Sequence, residues 1–558
     1  MGGRAGAALS AHYRRTVSYD STVKTKTSLA SSSLQPPRRG ARLLLCSAVA
    51  AALLGPAQYA AAQVKPNNSV LPVLGDAARA DMSPVMERKL GEQIMREILF
   101  NPDFLDDDPI LEYLNGFGNA LVAAHPGARG ETNADYYFFA VRDKQLNAFA
   151  LPGGFIAVHS ALLLAAQTES ELASVMSHEI GHVAQRHIAR MIGQQKQDAL
   201  IPLAALLLAV LASSAGGNAD ASMGVLMGGQ GLALQRQLNF SRDAEREADR
   251  VGFQIMAQGG YDTSGMVAFF GRMQTASRLY SDLMPAYLRS HPLTSERISD
   301  IQARIREVPY RQRVDNLEFH LVRARARVLQ DESTQGRADT QAAFDNQLLQ
   351  QNRQQQAGAL YGLSFLSLKR GELTKAQAFL DRARGTMKRT EGTFSTGSTA
   401  SDGAAVFAAL QLEIKLATNQ PAAVKALGLK EAEQLHKEFP LSRGIARQYA
   451  DAFIINDKPE EATTFLRAQV QQYREESKLH ELLAKAYSKQ GKIALQHISL
   501  AEYYALRGGK LAAIDQLGIA RKAPDASFYD MALIDARERE LKQARRDELK
   551  EAGKDPDK

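Results

Sequence analysis

The sequence predicts an α+β domain, mostly helical with a small β-sheet, followed by an all-α domain of paired helices. Three observations predict it. Two short strand-like runs at 135–141 and 155–158 are rich in aromatic and β-branched residues, with turn-forming Pro-Gly-Gly between them. A long helical pattern covers 169–192. Beyond about residue 315, helical pairs recur with Gly, Ala and Tyr at repeating offsets.

The chain has 558 residues, enough for about three domains. Apolar residues make up 45% and charged residues 23%, which supplies real cores and an ordinary surface. The net charge is +7, and much of it lies in the first forty-odd residues. No basic stripe with interleaved aromatics follows, so nucleic acid is not an expected partner.

The expected organisation begins with a signal peptide and long basic leader at 1–62 and a linker at 63–84. The α+β domain follows at 85–312, the paired-helix domain at 313–525, and a charged C-terminal tail at 526–558. Arg38-Arg39, an apolar run over 41–54 and a small-residue site ending at Ala62 describe a secretory signal. The run is too short for a comfortable membrane span. Leu45 before Cys46 argues against lipoprotein cleavage. The leader is also Ser/Thr- and Arg-rich like a transit peptide, so organelle import (a mitochondrial protein) is the alternative to export. Removal of the signal takes away Cys46, the chain's one cysteine. Neither disulfides nor thiolate ligands are then expected.

The chemistry centres on His178-Glu179-Ile180-Gly181-His182. Four residues of helix advance about 400°, so the two imidazoles lie about 40° apart on one face and can share one ion. Glu179 is about 100° round from His178, where its carboxylate can take a proton from a metal-activated water. One zinc ion per chain suits this donor mixture. The alternative is an exposed helix with two chance histidines. The preceding strand and the apolar stretch 172–176 favour the metal.

His187 is nine residues after His178, about 180° round a continuous helix. It cannot join the site without a break. An extended His-x-x-Gly-x-x-His motif would need Gly and His where the chain has Gln185 and Ile188. His187 is expected at the surface or behind a ligand.

A catalytic zinc site wants a third protein ligand. The segment 241–249 offers candidates. Glu245 and Asp249 are four apart and share a face, so Glu245 can ligate while Asp249 accepts a hydrogen bond from a ligand imidazole. Glu247 is about 200° from Glu245, so both cannot face the ion. The competing reading is an exposed helix laced with ion pairs to Arg242, Arg246 and Arg250.

The stretch Asn-Ala-Phe-Ala-Leu-Pro-Gly-Gly at 147–154, the His178–His182 motif and the Glu245/Asp249 pair resemble the HtpX and CAAX-prenyl-protease superfamily of zinc metallopeptidases. The likeness covers roughly 85–310, and a zincin-like metallopeptidase fold is what it implies. It also implies zinc at His178, His182 and Glu245, with Glu179 as general base and Asp249 behind the ligands. The family often carries His-Pro followed by Arg, here His291-Pro292 and Arg297. His291 can then stabilise an oxyanion or latch the open metal position. The competing view is a His at a helix start with Arg297 in a structural ion pair. The second half is similar to the tetratricopeptide repeat, as Gly371/Ala376/Ala383 and Gly508/Ala513/Ala520 show. The match is degenerate, since Gln496 stands where the repeat prefers Ala.

With a signal and a repeat domain, the whole chain resembles periplasmic members that act in outer-membrane protein quality control in Gram-negative bacteria. Proteolytic and chaperone-like modes are implied, with unfolded or stalled β-barrel proteins as clients. The β-barrel assembly machinery is the implied partner of the repeat domain. The strand near 155–158 can pair with an extended substrate. The apolar run 199–211, followed by a Gly/Met-rich stretch to 231, either covers the site or touches a membrane surface. The rival class is a non-proteolytic periplasmic chaperone or scaffold with a silent metal site. The intact Glu179 argues against it.

Overall fold

Ser83 starts the first helix, α1 (Pro84–Phe100), by accepting from the Met86 amide, with Pro84 preset for the first turn. Asp107 does the same for α2 (Asp108–Ala124), accepting from the Ile110 amide. The computed structural model describes residues 82–193, 241–279, 286–350, 352–387 and 403–551. The expected signal segment with Cys46, nearly all of the linker, and the runs 199–211 and 216–231 lie outside the described residues.

Three strands follow: β1 (Tyr137–Val141), β2 (Ala148–Leu151) and β3 (Phe155–His159). The sheet order is β1-β3-β2, with β3 parallel to β1 and antiparallel to β2. This corrects one expectation. The strand at 155–158 is central and buried along its length, so both of its edges are already paired. The side-chain amide of Asn115 on α2 closes part of the outer edge of β1, bonding the Phe138 amide and carbonyl. The remaining edge strand is β2.

A short helix, α3 (Ser160–Ala165), leads to α4 (Glu169–Ala184), whose residues are all buried. The expected helix over 169–192 is interrupted. Arg186 takes a left-handed φ of 52°, and α5 (His187–Gly193) begins after it. The helix α6 (Arg242–Gln258) crosses α4 at backbone contact. Glycines permit this approach. A Cβ on Gly181 would lie 2.8 Å from the Ala248 carbonyl oxygen. Then come α7 (Ser264–Leu279), α8 (Ala286–Ser290) and α9 (Ser295–Ile305).

The second half is helical: α10 (Leu317–Gln330), α11 (Thr334–Gln347), α12 (Arg353–Lys369), α13 (Leu373–Met387), α14 (Ala404–Lys415), α15 (Ala422–Glu438), α16 (Arg443–Ile455), α17 (Pro459–Gln472), α18 (Ser477–Lys489), α19 (Ile493–Leu506), α20 (Lys510–Arg521) and α21 (Phe528–Glu551). Four tight links share one design. Gly371, Asp457, Gly491 and Gly508 each take positive φ just past a helix end. The next amide then bonds back, as Glu372 does to Ser367 at 2.9 Å and Lys492 to Tyr487 at 3.0 Å. Five residues beyond three of these turns stand Ala376, Ala462 and Ala513, fully buried where paired helices meet. The last helix, α21, buries Ile534 and Leu541 in this stack.

One hydrophobic cluster runs from Leu105 to Ile414, so the α+β part and the first helical pairs share a core. Charges add to the seam. Arg325 on α10 bonds Asp107 at 2.7 Å and Glu413 at 2.6 Å. Farther along, Glu112 on α2 accepts from the Gly444 amide at the start of α16 at 2.7 Å.

Candidate metal centre

Thr168 caps α4 through the Glu171 amide, and the helix carries His178, Glu179 and His182 into the interior. Ser241 caps α6 in the same way through Ala244 and brings Glu245 and Asp249 to the facing side. His291 arrives from the end of α8, its amide bonded to the Tyr287 carbonyl at 2.8 Å. His178, His182, Glu245 and His291 are at most 1% exposed.

Their donor atoms converge. The Nε2 atoms of His178 and His182 are 3.0 Å apart. Glu245 Oε2 is 3.5 Å from His178 Nε2, and Glu245 Oε1 is 3.5 Å from His182 Nε2. His291 Nδ1 lies 3.4 Å from His178 Nε2 and 2.9 Å from Glu245 Oε1. One ligating atom from each of the four lies within 4.8 Å of the others. Donors about 2.0–2.1 Å from one tetrahedral ion stand about 3.3 Å from each other, so this set fits a metal ion.

The supporting groups are equally ordered. Asp249 Oδ1 is 2.9 Å from His178 Nδ1. The Arg297 guanidinium grips Asp249 at 2.6 and 2.8 Å and reaches Glu245 at 2.7 Å. Arg297 thus ties together two acidic residues of α6. The sequence placed an Arg here, but its double bridge depends on α9 folding back over α6. Tyr287 packs its ring on His291, centroids 4.7 Å apart, and is buried.

Charge follows burial and partners. Burial pushes the His182 imidazole well below its ordinary value, against the pull of Glu245. Burial also opposes the charged form of His178, but hydrogen bonds to Asp249 and Glu245 outweigh it and raise the ring to about 9. Burial would raise Glu245, yet His291, His178 and His182 hold its carboxyl well below the usual range. Glu179 goes the other way. It is fully buried, and burial raises its carboxyl against the opposing His291 and His178. Its Oε1 stands 3.5 Å from His291 Nε2. A carboxyl so raised holds a proton more readily than a solvated one.

His187 lies behind a ligand, the second of its two expected places, and a helix break brings it there. The break at Arg186 swings its ring back, so that its Nδ1 is 2.8 Å from His182 Nδ1. Its Nε2 is 3.1 Å from Glu247 Oε2. Glu247 points away from the donor cluster, as its position on α6 requires. His187 and Glu247 are the contacts that a continuous-helix reading misses.

Residues 120–305 match peptidase family M48. The chain is 28% identical over 474 residues to the beta-barrel assembly-enhancing protease of Escherichia coli (strain K12), covering 85% of this chain and 91% of that one. It is 29% identical over 472 residues to the protease of that name in Yersinia pestis, with the same coverage of 85% and 91%. A Vibrio cholerae protein provisionally given that name is 38% identical over 288 residues, which cover 51% of this chain and 56% of the relative. A chain that brings a His-Glu-x-x-His helix and a facing glutamate to one buried point, within residues that match this family, carries a metalloendopeptidase domain of peptidase family M48.

Proposed function

We propose that the chain is a periplasmic zinc endopeptidase of outer-membrane β-barrel assembly, degrading misfolded or stalled β-barrel proteins and assisting others as a chaperone. The observation that carries the catalytic part is the convergence of His178, His182 and Glu245 beside the buried Glu179. The envelope role rests on the similarity to the beta-barrel assembly-enhancing proteases, with no described helix long and apolar enough to cross a membrane.

His178, His182 and Glu245 would hold the zinc, and Asp249 and Arg297 would keep them oriented. When bound, zinc supplies a Lewis acid that polarises the scissile carbonyl and acidifies water. Glu179 accepts the water proton and passes it to the departing amine. The edge strand β2 is the place for an extended substrate, because its Ala150 backbone lies next to Glu179. Strand addition uses backbone bonds and so suits unfolded chains of many sequences.

His291 acts as the latch rather than as the oxyanion stabiliser. Its ring contacts Glu245, His178 and Glu179 together, which suits a group that holds the open metal position. The helical pairs of the second half are read as tetratricopeptide repeats. Between them and the start of α2 lies a cavity of about 1040 Å³, lined by Phe365, Arg447, Lys478, Leu482 and Lys485 among others. We read it as the docking surface for the assembly machinery.

Glu179→Gln tests the reading. The variant should keep zinc by elemental analysis and lose cleavage of unfolded casein. Retained cleavage would sink the catalytic assignment and leave a scaffold.

A further inference from the structure

We propose that His187 is a positioning residue that fixes the proton and the angle of the His182 ring, with Glu247 holding His187 in turn. The inference rests on the metal reading of the site and extends it to residues outside the ligand set.

The proton arrangement follows from the contacts. Glu247 is paired with Arg190 at 2.9 Å and offers its Oε2 to His187 Nε2 at 3.1 Å. A carboxylate only accepts, so His187 carries its proton on Nε2 and donates it there. The lone pair on His187 Nδ1 then faces His182 Nδ1, 2.8 Å away. His182 must donate across that gap, so its own proton sits on Nδ1. Its Nε2 lone pair then faces the side where His178 Nε2 and Glu245 converge.

His178 reaches the same state by a shorter route. Its Nδ1 stands 2.9 Å from Asp249, which frees Nε2 for the ion. Alternate acidic residues of α6 therefore divide the work. Glu245 faces the ion, Asp249 orients one imidazole directly, and Glu247 orients the other through His187.

The backbone is built to allow this. A continuous helix would carry His187 to the far side, away from His182. The left-handed turn at Arg186, φ 52°, brings it back. That conformation is uncommon for a residue with a Cβ. Here it is held by a buried guanidinium that bonds Glu87 at 3.0 Å and the Met82 carbonyl at 2.7 Å. The start of α1 thus anchors the break that delivers His187.

The full chain is tested as wild type, His187→Phe, His187→Asn and Glu247→Gln. Zinc affinity is read by competition with a chromophoric chelator, and the ligand field by the visible spectrum of the cobalt(II)-loaded protein. His187→Phe fills the space without an acceptor and should weaken zinc by about 10–100-fold and shift the cobalt bands. His187→Asn puts a carbonyl oxygen near the place of Nδ1 and should recover most of the affinity. Glu247→Gln should fall between, and it carries the test if the Phe variant does not fold. Wild-type affinity and an unchanged cobalt spectrum in His187→Phe or in Glu247→Gln overturn the proposal while leaving the metal site intact. A wild-type chain that binds no zinc overturns both.

Discussion

Gly252 meets the backbone of His178 so closely that a Cβ added there would lie 2.9 Å from the His178 nitrogen. The histidine face of α4 and the acidic face of α6 are therefore set by the approach of two backbones. Gly252→Ala must move one helix, and a misplaced Glu245 no longer meets both imidazoles. Overpacking of this kind costs about 1–3 kcal/mol. We expect lower stability in urea and weaker zinc binding together, measured on the same preparation. Unchanged values for both would show that the crossing is looser than it looks.

His291→Ala should raise peptidase activity. Its ring lies among Glu245, His178 and Glu179, and on the latch reading proposed above it leaves before cleavage. Removing a competing state of ordinary size is worth about tenfold. The measurement is casein or peptide cleavage at fixed zinc occupancy. A fall in rate would assign the ring to oxyanion stabilisation, and no change would remove His291 from the mechanism.

Local periodicity made the donors on α4 and α6 legible, because residues four apart on a helix share a face. His178 and His182 follow that rule, and so do Glu245 and Asp249. His187 broke it, because a left-handed Arg186 depends on Glu87, ninety-nine residues earlier. Sequence distance hides such partners. The sheet shows the same limit. The strand character of 155–158 was readable from its residues, whereas its central place required knowing that β1 and β2 both pair with it. In the helical half, the Gly371 and Gly508 turns were visible as glycines. The equivalent turn at Asp457 carries no such mark, since an aspartate there takes the same positive φ.

His320 should make stability depend on pH. The ring is buried on α10, with Arg323 as a like charge near it, and burial with that charge lowers it to about 4. A histidine lowered in the fold is neutral there but charges readily when unfolded. Its contribution is full above about 6.5 and is lost as pH falls toward the folded value, a loss on the order of 3 kcal/mol. His320→Leu should flatten the stability curve between these limits, as followed by urea unfolding at a series of pH values. A slope equal to that of wild type would place the titration elsewhere.

Asp108→Asn should loosen the seam between the α+β part and the helical pairs. Asp108 Oδ1 is 2.5 Å from Arg447 and 3.3 Å from Lys478, both contributed by the second half. Burial alone would raise this carboxyl, but Arg447 and Lys478 hold it below the usual range. A folded value below the unfolded one means that the ion pair stabilises above about pH 3.9 and is lost as pH falls through the folded value. The pair is neither exposed nor sealed, so the substitution should cost about 1–3 kcal/mol at pH 7, between the limits for surface and buried pairs. The gap to wild type should close as acid protonates Asp108. Glu112, on the same helix, runs the other way, because burial raises its carboxyl. Its ionisation costs stability as pH rises through the raised value. Urea unfolding of both single variants, Asp108→Asn and Glu112→Gln, at pH 7 and at pH about 3 separates the two signs. Equal losses at both pH values for Asp108→Asn would mean that its role at the seam is shape rather than charge.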